Sequence, residues 1–445
     1  MGCLSYQMLA NAASFQSFEQ SAATMGTANA GTTVTDDASI QYYNPAGMAF
    51  VDVAELAVSG ILVNGSFEFD PFSFTNLRGQ PVQGNTNGPS DSSFAPAFYY
   101  IQPINDRFTV GFGLTAPFGL STTYDDLSVA RYFATRSQLE TVDLNPSFGA
   151  KITKNFSFGA GFDAVYIKAK LDQAFDFGSF VEQLPDNPSF VKDAFIRNTA
   201  DTWGFGWNAG FFYQYSPRTK FGLAYHSRIN VSPSGRSRVL EVGGVPIEPT
   251  DVRAVADSIG LHDSNVTTNT IKLPDYVTFS AEQDLTNIWK LMFDAEFIHW
   301  NSVQKIVLNF SGNPIVNQNT PANRNLPPST LQLNYHNTWR FALGQSIQLT
   351  PRWLIRTGVA FDGSPVSEQF RDARIPDSDR YWADIGANFK FTKRFNVDLS
   401  YSHVFFKDSS IDKTFSPAKG FSQELVADYS GHANLYGVQL NYNFG

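Results

Sequence analysis

The segment Trp203-Gly204-Phe205-Gly206-Trp207-Asn208-Ala209-Gly210-Phe211-Phe212-Tyr213 alternates aromatic or apolar residues with small or polar ones. Successive side chains of a β-strand point to opposite faces, so this period predicts a strand with one apolar face and one small, polar face. Such a strand requires apolar surroundings on one side and a polar or crowded space on the other.

The same two-residue period recurs from Glu55 to the end of the chain, most clearly in residues 108–115, 141–152, 156–166 and 436–444. An Arg or Lys that faces lipid at mid-depth costs roughly 2 to 4 kcal/mol, so charges are expected on the face away from the lipid. If these strands close into a membrane barrel, its polar lumen explains the charged residues on the phase opposite the apolar ones. These are Asp163, Lys290, Asp294, Glu296, Arg340, Arg356, Lys390 and Asp398.

The connections between these segments alternate in length. Short turns lie near residues 105–107, 153–155, 216–219, 285–287, 350–352 and 392–394. Long polar connections lie near residues 70–92, 120–138, 171–200, 231–270, 311–330, 363–379 and 408–430. The segments between them number about fourteen, and an even count with loops sorted by length is typical of an outer-membrane barrel. This layout predicts that both termini are periplasmic.

The composition agrees with a membrane barrel. Among the 445 residues, 15% are aromatic and only 16% are charged, and the mean hydropathy is -0.20. No run of 18 or more apolar residues exists, which excludes transmembrane helices. The net charge of -9 argues against a nucleic-acid partner. The single cysteine, Cys3, allows neither a disulfide framework nor a cysteine metal site.

The N-terminal part of the chain lacks the strand period. Residues 1–12 end in Ala10-Asn11-Ala12, a small-x-small pattern that predicts the remnant of a signal peptide, with an uncleaved disordered N-terminus as the alternative. Residues 13–54, rich in Ala, Ser, Thr and Gly, are expected to form a hatch inside a barrel of residues 55–445. The run Asn44-Pro45-Ala46-Gly47 suits close packing against the barrel wall, although most such runs are ordinary turns.

The last segment alternates to the end of the chain and places an aromatic residue, Phe444, just before Gly445. A terminal strand of this kind resembles the signal that the barrel-insertion machinery recognises. We therefore expect that machinery as a partner during biogenesis.

Separated blocks of the sequence, spread nearly from end to end, match a known family. They are residues 13–16, 36–38, 44–46, 103–106, 203–210, 273–274 and, most specifically, the run from Arg356 through Ser364-Pro365-Val366 to Ile375-Pro376-Asp377-Ser378-Asp379-Arg380. In these blocks the chain resembles the FadL-type outer-membrane transporters of long-chain fatty acids and other hydrophobic molecules.

The resemblance implies a fourteen-stranded antiparallel transmembrane β-barrel blocked by an N-terminal hatch. It also implies capture of the substrate by extracellular loops, a tighter site near the mature N-terminus, and lateral release through an inward kink of the third strand. By this match Phe15 is expected to bind ligand, and Asn44, Pro45 and Ala46 to hold the hatch against the wall. We expect Phe118 of the third strand to bind ligand as well, and Gly47 to join the hatch contact.

The third strand loses its alternation at Pro117-Phe118-Gly119, where Pro cannot donate to the strand ladder and Gly permits a bend. These residues are the predicted lateral exit. Two alternatives remain open: Pro117 only ends the strand, and Phe15 only packs.

The ligand is less well defined. Gln173 stands where the best-known fatty-acid transporter of the family carries a basic residue, and residues 311–325 offer Arg324 but no Lys. Carboxylate recognition at these positions is therefore in doubt. Because other members of the family import aromatic hydrocarbons, an uncharged ligand is the alternative.

Other functional classes fit less well. The sequence has no G-x-S-x-G elbow and no H-E-x-x-H motif, and its six histidines are scattered, so we expect no enzyme, cofactor or metal site. Asp377 and Asp379 beside Arg380 favour a loop ion-pair network over a calcium site. A surface-loop binding or adhesion protein is the rival of another class, and the hatch argues against an open porin. We expect a monomer surrounded by outer-membrane lipid and lipopolysaccharide.

Overall fold

The computed structural model describes residues 14–176, 193–241, 263–311, 328–418 and 420–445. From Glu55 onward these residues form a closed antiparallel barrel of 14 strands. The first strand, β1 (Glu55–Thr75), closes the barrel by pairing with the last, β21 (Phe421–Asn443), in a register that begins at Glu55↔Asn443. The predicted fold class is confirmed.

Some barrel strands are continuous and others are built from two or three pieces. The second strand is β2 (Ser90–Pro103), and the third is split into β3 (Phe108–Thr115) and β4 (Gly119–Thr123). Next come β5 (Arg136–Lys151), β6 (Phe156–Phe175) and β7 (Ala194–Ser216). The seventh strand comprises β8 (Thr219–His226), β9 (Ile229–Val231) and β10 (Ser234–Glu241); the eighth comprises β11 (Ser264–Thr268), β12 (Ile271–Leu273) and β13 (Tyr276–Asp284).

The ninth strand comprises β14 (Trp289–Ile298) and β15 (Lys305–Ser311), and the tenth comprises β16 (Ser329–Gln332) and β17 (Thr338–Gln348). The remaining strands before β21 are β18 (Trp353–Asp362), β19 (Arg380–Lys390) and β20 (Phe395–Ala418).

The outer face of the barrel carries the apolar phase of the strands. On β7 the exposed side chains include Trp203, Phe205, Trp207, Phe211 and Tyr213. Trp203 and Tyr213 are ten residues apart, which is about 33 Å along a strand at about 3.3 Å per residue. A tilt of about 40° reduces this to about 25 Å of barrel height, the thickness of an outer-membrane apolar band between its two aromatic girdles. The outer face is therefore suited to lipid.

The two ends of the barrel differ. One end, called the turn end here, has connections such as residues 104–107 and 152–155, and the chain both begins β1 and finishes β21 there. The opposite end is called the loop end. The predicted long connection at 408–430 is wrong, because β20 extends to Ala418 and β21 begins at Phe421. On these extensions the inward residues Leu425, Ala427 and Tyr429 are buried, while the residues between them are largely polar. The apolar outer phase that identifies a membrane strand is therefore missing there.

The hatch consists of the described residues before β1, residues 14–54, and lies inside the barrel. It contains two one-turn helices, α1 (Ala22–Met25) and α2 (Ile40–Tyr43), and two 3-10 turns, Thr32–Val34 and Gly47–Phe50. Helices this short gain little from their own hydrogen bonds, so the hatch depends on the wall for its conformation. Within the described residues, no helix is long and apolar enough to cross a membrane.

Candidate functional site

Glycines on the inner wall let the hatch backbone approach closely. A Cβ added to Gly159 of β6 would lie 2.3 Å from the nitrogen of Ala46 and from the carbonyl carbon of Pro45. At Gly358 of β18 it would lie 2.1 Å from the carbonyl carbon of Thr27. The small residues that alternate with aromatics in the sequence therefore form the seat of the hatch.

The predicted hatch-contact residues lie at this seat. The side-chain nitrogen of Asn44, Nδ2, donates to the backbone carbonyl oxygens of Thr33 and Phe211, at 3.0 Å each. The Ser157 hydroxyl of β6 donates to the Ala46 carbonyl at 2.7 Å. Gly47 differs from the others, because a Cβ added there would meet mainly the side chain of Ile40, which belongs to the hatch itself.

Charged lumenal side chains hold the rest of the hatch. The Asp36 carboxylate accepts from Lys220 Nζ at 2.5 Å and Lys290 Nζ at 2.7 Å, and Glu282 lies 3.0 and 2.9 Å from the same two lysines. Asp294 accepts from the backbone nitrogen of Gly31 at 2.6 Å. The two-residue period predicted a lumenal position for Lys290 and Asp294, but their hatch partners follow only from the fold.

The third strand is interrupted between Thr115 and Gly119. The hatch satisfies the backbone groups of the interruption: the Gln20 amide accepts from Ala116 N at 3.0 Å and donates to Ala116 O at 2.8 Å. Ser17 N donates to Pro117 O at 2.9 Å. Thr141 Oγ1 accepts from Phe118 N at 3.0 Å and donates to Phe118 O.

Gly119 N donates to Phe15 O at 2.8 Å, which places Gln16 and Phe118 opposite each other in an antiparallel bridge. The N-terminal residues 15–20 thus take the place of a pairing strand beside residues 116–119. On the other side, the ladder between β2 and the third strand ends at Phe98↔Leu114, and no ladder joins β2 to β4 in the described part of the chain. The wall therefore changes its pairing at Pro117, Phe118 and Gly119.

Phe15 lies at the centre of an aromatic cluster beside this interruption. Its ring centroid is 4.8 Å from that of Trp300, in an edge-to-face arrangement, and 6.2 Å from that of Phe118. The hydroxyl of the preceding residue, Ser14, donates to Tyr335 at 2.9 Å. The predicted ligand-binding pair Phe15 and Phe118 is therefore in one cluster.

An apolar cavity of about 90 Å³ borders this cluster, and Phe15 lines it while Phe118 does not. The eighth and ninth strands contribute Val266, Ile271, Leu273, Ile306 and Leu308 to its lining, and Leu139, Ile167 and Leu171 come from β5 and β6. The two-residue period did not identify these positions. It assigns apolar residues to the lipid face, whereas most of these residues are apolar, point inward and lie beyond the membrane band. Arg374 and Ile375, from the connection between β18 and β19, complete one side.

A second cavity, of about 520 Å³, lies between the hatch and the turn end. Charged residues line much of it, among them Asp36, Glu282, Lys290, Arg356 and Asp398. Its polar walls suit water better than a hydrophobic ligand.

The predicted ion-pair network of the loop end is confirmed. Arg380 contacts Asp377, and its guanidinium lies 3.8 Å from the Asp362 carboxylate. Lys407 lies 3.7 Å from Asp379. Arg324, Cys3 and the predicted cleavage pattern at Ala10 and Ala12 lie outside the described residues. No group of three or more His, Cys, Asp or Glu that could hold a metal occurs within residues 14–176, 193–241, 263–311, 328–418 and 420–445.

Comparison with known proteins places the chain beside outer-membrane transporters. Residues 3–444 match the profile of the family described as outer membrane protein transport protein (OMPP1/FadL/TodX). Outer membrane protein P1 of Haemophilus influenzae is 31% identical over 476 aligned residues, covering 98% of this chain and 96% of that protein. The long-chain fatty acid transport protein of Escherichia coli (strain K12) is 27% identical, covering 97% of this chain and 94% of that protein.

Among solved structures, the crystal structure of a Pseudomonas aeruginosa FadL homologue superposes with a TM-score of 0.83 at 25% identity. That alignment covers 97% of this chain and all of the other. The similarity therefore extends over hatch and barrel alike.

Proposed function

This chain belongs to the OMPP1/FadL/TodX family of outer membrane transport proteins, and from that membership we propose that it imports long-chain fatty acids or molecules of similar hydrophobicity. The family carries hydrophobic compounds across the outer membrane of Gram-negative bacteria. The E. coli relative is a long-chain fatty acid transport protein by name. The loop end is then extracellular, and the turn end with both chain ends of the barrel is periplasmic.

The observation that carries the proposal is the contact between the apolar cavity and the interrupted strand. Phe15 lines the cavity, and its carbonyl accepts from Gly119 N at 2.8 Å. One residue therefore touches both the space for a ligand and the place where the wall changes its pairing.

The proposed route leaves the cavity sideways between β2 and β4. An alkyl chain that moves into lipid through the wall stays in apolar surroundings, whereas exposure to water costs roughly 0.8 kcal/mol per CH₂. The charged cavity at the turn end offers no comparable path, since its lining includes Asp36, Glu282 and Lys290. Transport by this route is passive diffusion.

The described conformation is closed. Its apolar cavity of about 90 Å³ is smaller than the roughly 300–1,000 Å³ of drug-sized ligand sites. A long-chain ligand therefore displaces Phe15 and its neighbours, and with them the hydrogen bonds of residues 15–20 to the interruption. Binding thereby loosens the wall at the proposed exit.

The size of the cavity favours one alternative, import of small uncharged aromatic hydrocarbons by the same route. Apolar cavities of roughly 150 Å³ bind benzene, so a single ring requires less rearrangement here than a long alkyl chain.

Uptake in cells tests the proposal. Cells that lack their own transporter would express this chain, Gly119→Arg or Leu127→Arg, and would be given labelled palmitate or toluene. Gly119 is buried at the interruption, whereas Leu127 is 59% exposed in the connection after β4 and serves as the control. We expect uptake by the parent and by Leu127→Arg, and at least a tenfold loss in Gly119→Arg.

The outcomes separate the parts of the proposal. Unchanged uptake in Gly119→Arg would contradict the lateral exit and leave the transporter in place. No uptake of either compound by the parent chain would contradict the transport of both ligand classes and favour a loop-displayed binding protein.

A further inference from the structure

Arg374 has an unusual position in the connection between β18 and β19. It is 8% exposed and lines the apolar cavity. The other polar residues of the described lining, Ser137, Gln138, Asn198 and Thr268, are uncharged. Arg374 is thus the one charge in the described lining of an apolar cavity.

The neighbouring carboxylates are committed to other cations. Asp172 accepts from Arg197 Nε at 3.0 Å, and Asp372 lies 3.8 Å from Lys413 Nζ. Arg374 forms no ion pair within 4.0 Å in the described part of the chain. Its guanidinium donates to the Asp172 carbonyl at 3.3 Å and to the Gln173 side-chain oxygen, which are neutral acceptors.

A buried cation without a counter-ion is unfavourable, because the interior solvates charge poorly. Burial accordingly lowers the pKa of the Arg374 guanidinium below its ordinary value, although Asp372 and Asp172 raise it. The planar guanidinium presents donors in a fork that matches a carboxylate. An anion that entered the cavity would therefore complete the site.

We propose that Arg374 binds the carboxylate of a long-chain ligand whose alkyl chain occupies the adjoining apolar cavity, and that it selects acids over neutral amphiphiles. This inference rests on the proposed transport function and names its substrate class. It also places the cation beside Gln173, so that the β18–β19 connection supplies the charge that the β6 end lacks.

The test is binding of palmitate and of hexadecanol to the purified full-length chain in a neutral detergent. The two probes have equal alkyl chains and differ in the carboxylate. Arg374→Met and Arg374→Gln remove the charge, and Arg374→Lys keeps it. Arg371→Met is the matched control, since Arg371 is also a buried arginine of this connection but donates to the carbonyls of Asp377 and Ser410 outside the cavity lining.

We expect the parent chain to bind palmitate at least tenfold more tightly than hexadecanol, the ratio that one charged hydrogen bond supports. The neutral Arg374 variants should lose that ratio and bind hexadecanol within about twofold of the parent value. Arg374→Lys and Arg371→Met should keep the preference. Heat-modifiable migration on gels would identify variants that retain the folded barrel.

Two results would overturn the inference in different ways. Equal affinity of the parent for acid and alcohol, or a preference that survives in a folded neutral Arg374 variant, would overturn the role of Arg374 while transport remains. Failure of the parent to bind or import palmitate, hexadecanol or toluene would overturn the proposed function together with the inference.

Discussion

Gly159 shows how a single residue on the wall determines the fit of the hatch. Its missing Cβ would lie 2.3 to 2.6 Å from backbone atoms of Pro45 and Ala46, and backbone cannot rotate away as a side chain can. Overpacking of this kind costs about 1 to 3 kcal/mol. The strain would fall on the hatch, since β6 is held to β7 by a continuous ladder.

Gly159→Val is therefore expected to unseat the hatch while the barrel remains folded. Planar-bilayer recordings should show an ion conductance above that of the parent chain. Gly363→Val is the control, because a Cβ at Gly363 would meet its nearest atom at an ordinary 3.5 Å. A Gly159→Val chain as insulating as the parent would show that the hatch tolerates the added atoms.

At the scale of elements, the N-terminal residues 15–20 and the interrupted third strand behave as one unit. Gln16 and Phe118 face each other as a non-hydrogen-bonded antiparallel pair, flanked by the bonds from Ser17 N and Gly119 N. The Cα atoms of such pairs are about 4.5 Å apart, within the range that a disulfide spans.

The double variant Gln16→Cys and Phe118→Cys, in a Cys3→Ser background, should form a disulfide that locks the two segments together. Palmitate uptake is expected to fall at least tenfold in oxidised cells and to recover on reduction, since a ligand can no longer displace the N-terminal segment. The reduced double variant and each single variant are the controls. Equal uptake by oxidised and reduced protein would mean that transport proceeds without separation of these segments.

At the scale of the whole molecule, the orientation of the barrel is open to a direct test. In the same Cys3→Ser background, Leu127→Cys lies in a connection of the loop end and Asp106→Cys in a short turn. A membrane-impermeant maleimide should label intact cells at position 127, and at position 106 only after permeabilisation. The opposite pattern would reverse the proposed orientation.

The barrel was predictable because its signal is repeated. Each lipid-facing strand shows the two-residue period, and the alternation of short turns with long connections supports the count of fourteen independently. The contacts between hatch and wall were not predictable, since Asp36 and Lys290 are far apart in sequence and follow no period. The same is true of Phe15 and Arg374, which line one cavity. The same holds for the extensions of β20 and β21, whose outward residues are largely polar and so lack the apolar phase of a membrane strand.

The dependence of residues 116–119 on the hatch also has a consequence for biogenesis. Their backbone groups bond to residues 15–20 and to Thr141, and no ladder joins β4 to β2 in the described chain. Backbone groups that lack partners are costly near a bilayer. The third strand therefore reaches its final hydrogen bonding only after residues 15–20 have entered the barrel. Insertion of this N-terminal segment is accordingly a late step in folding, although the segment precedes every strand in the sequence.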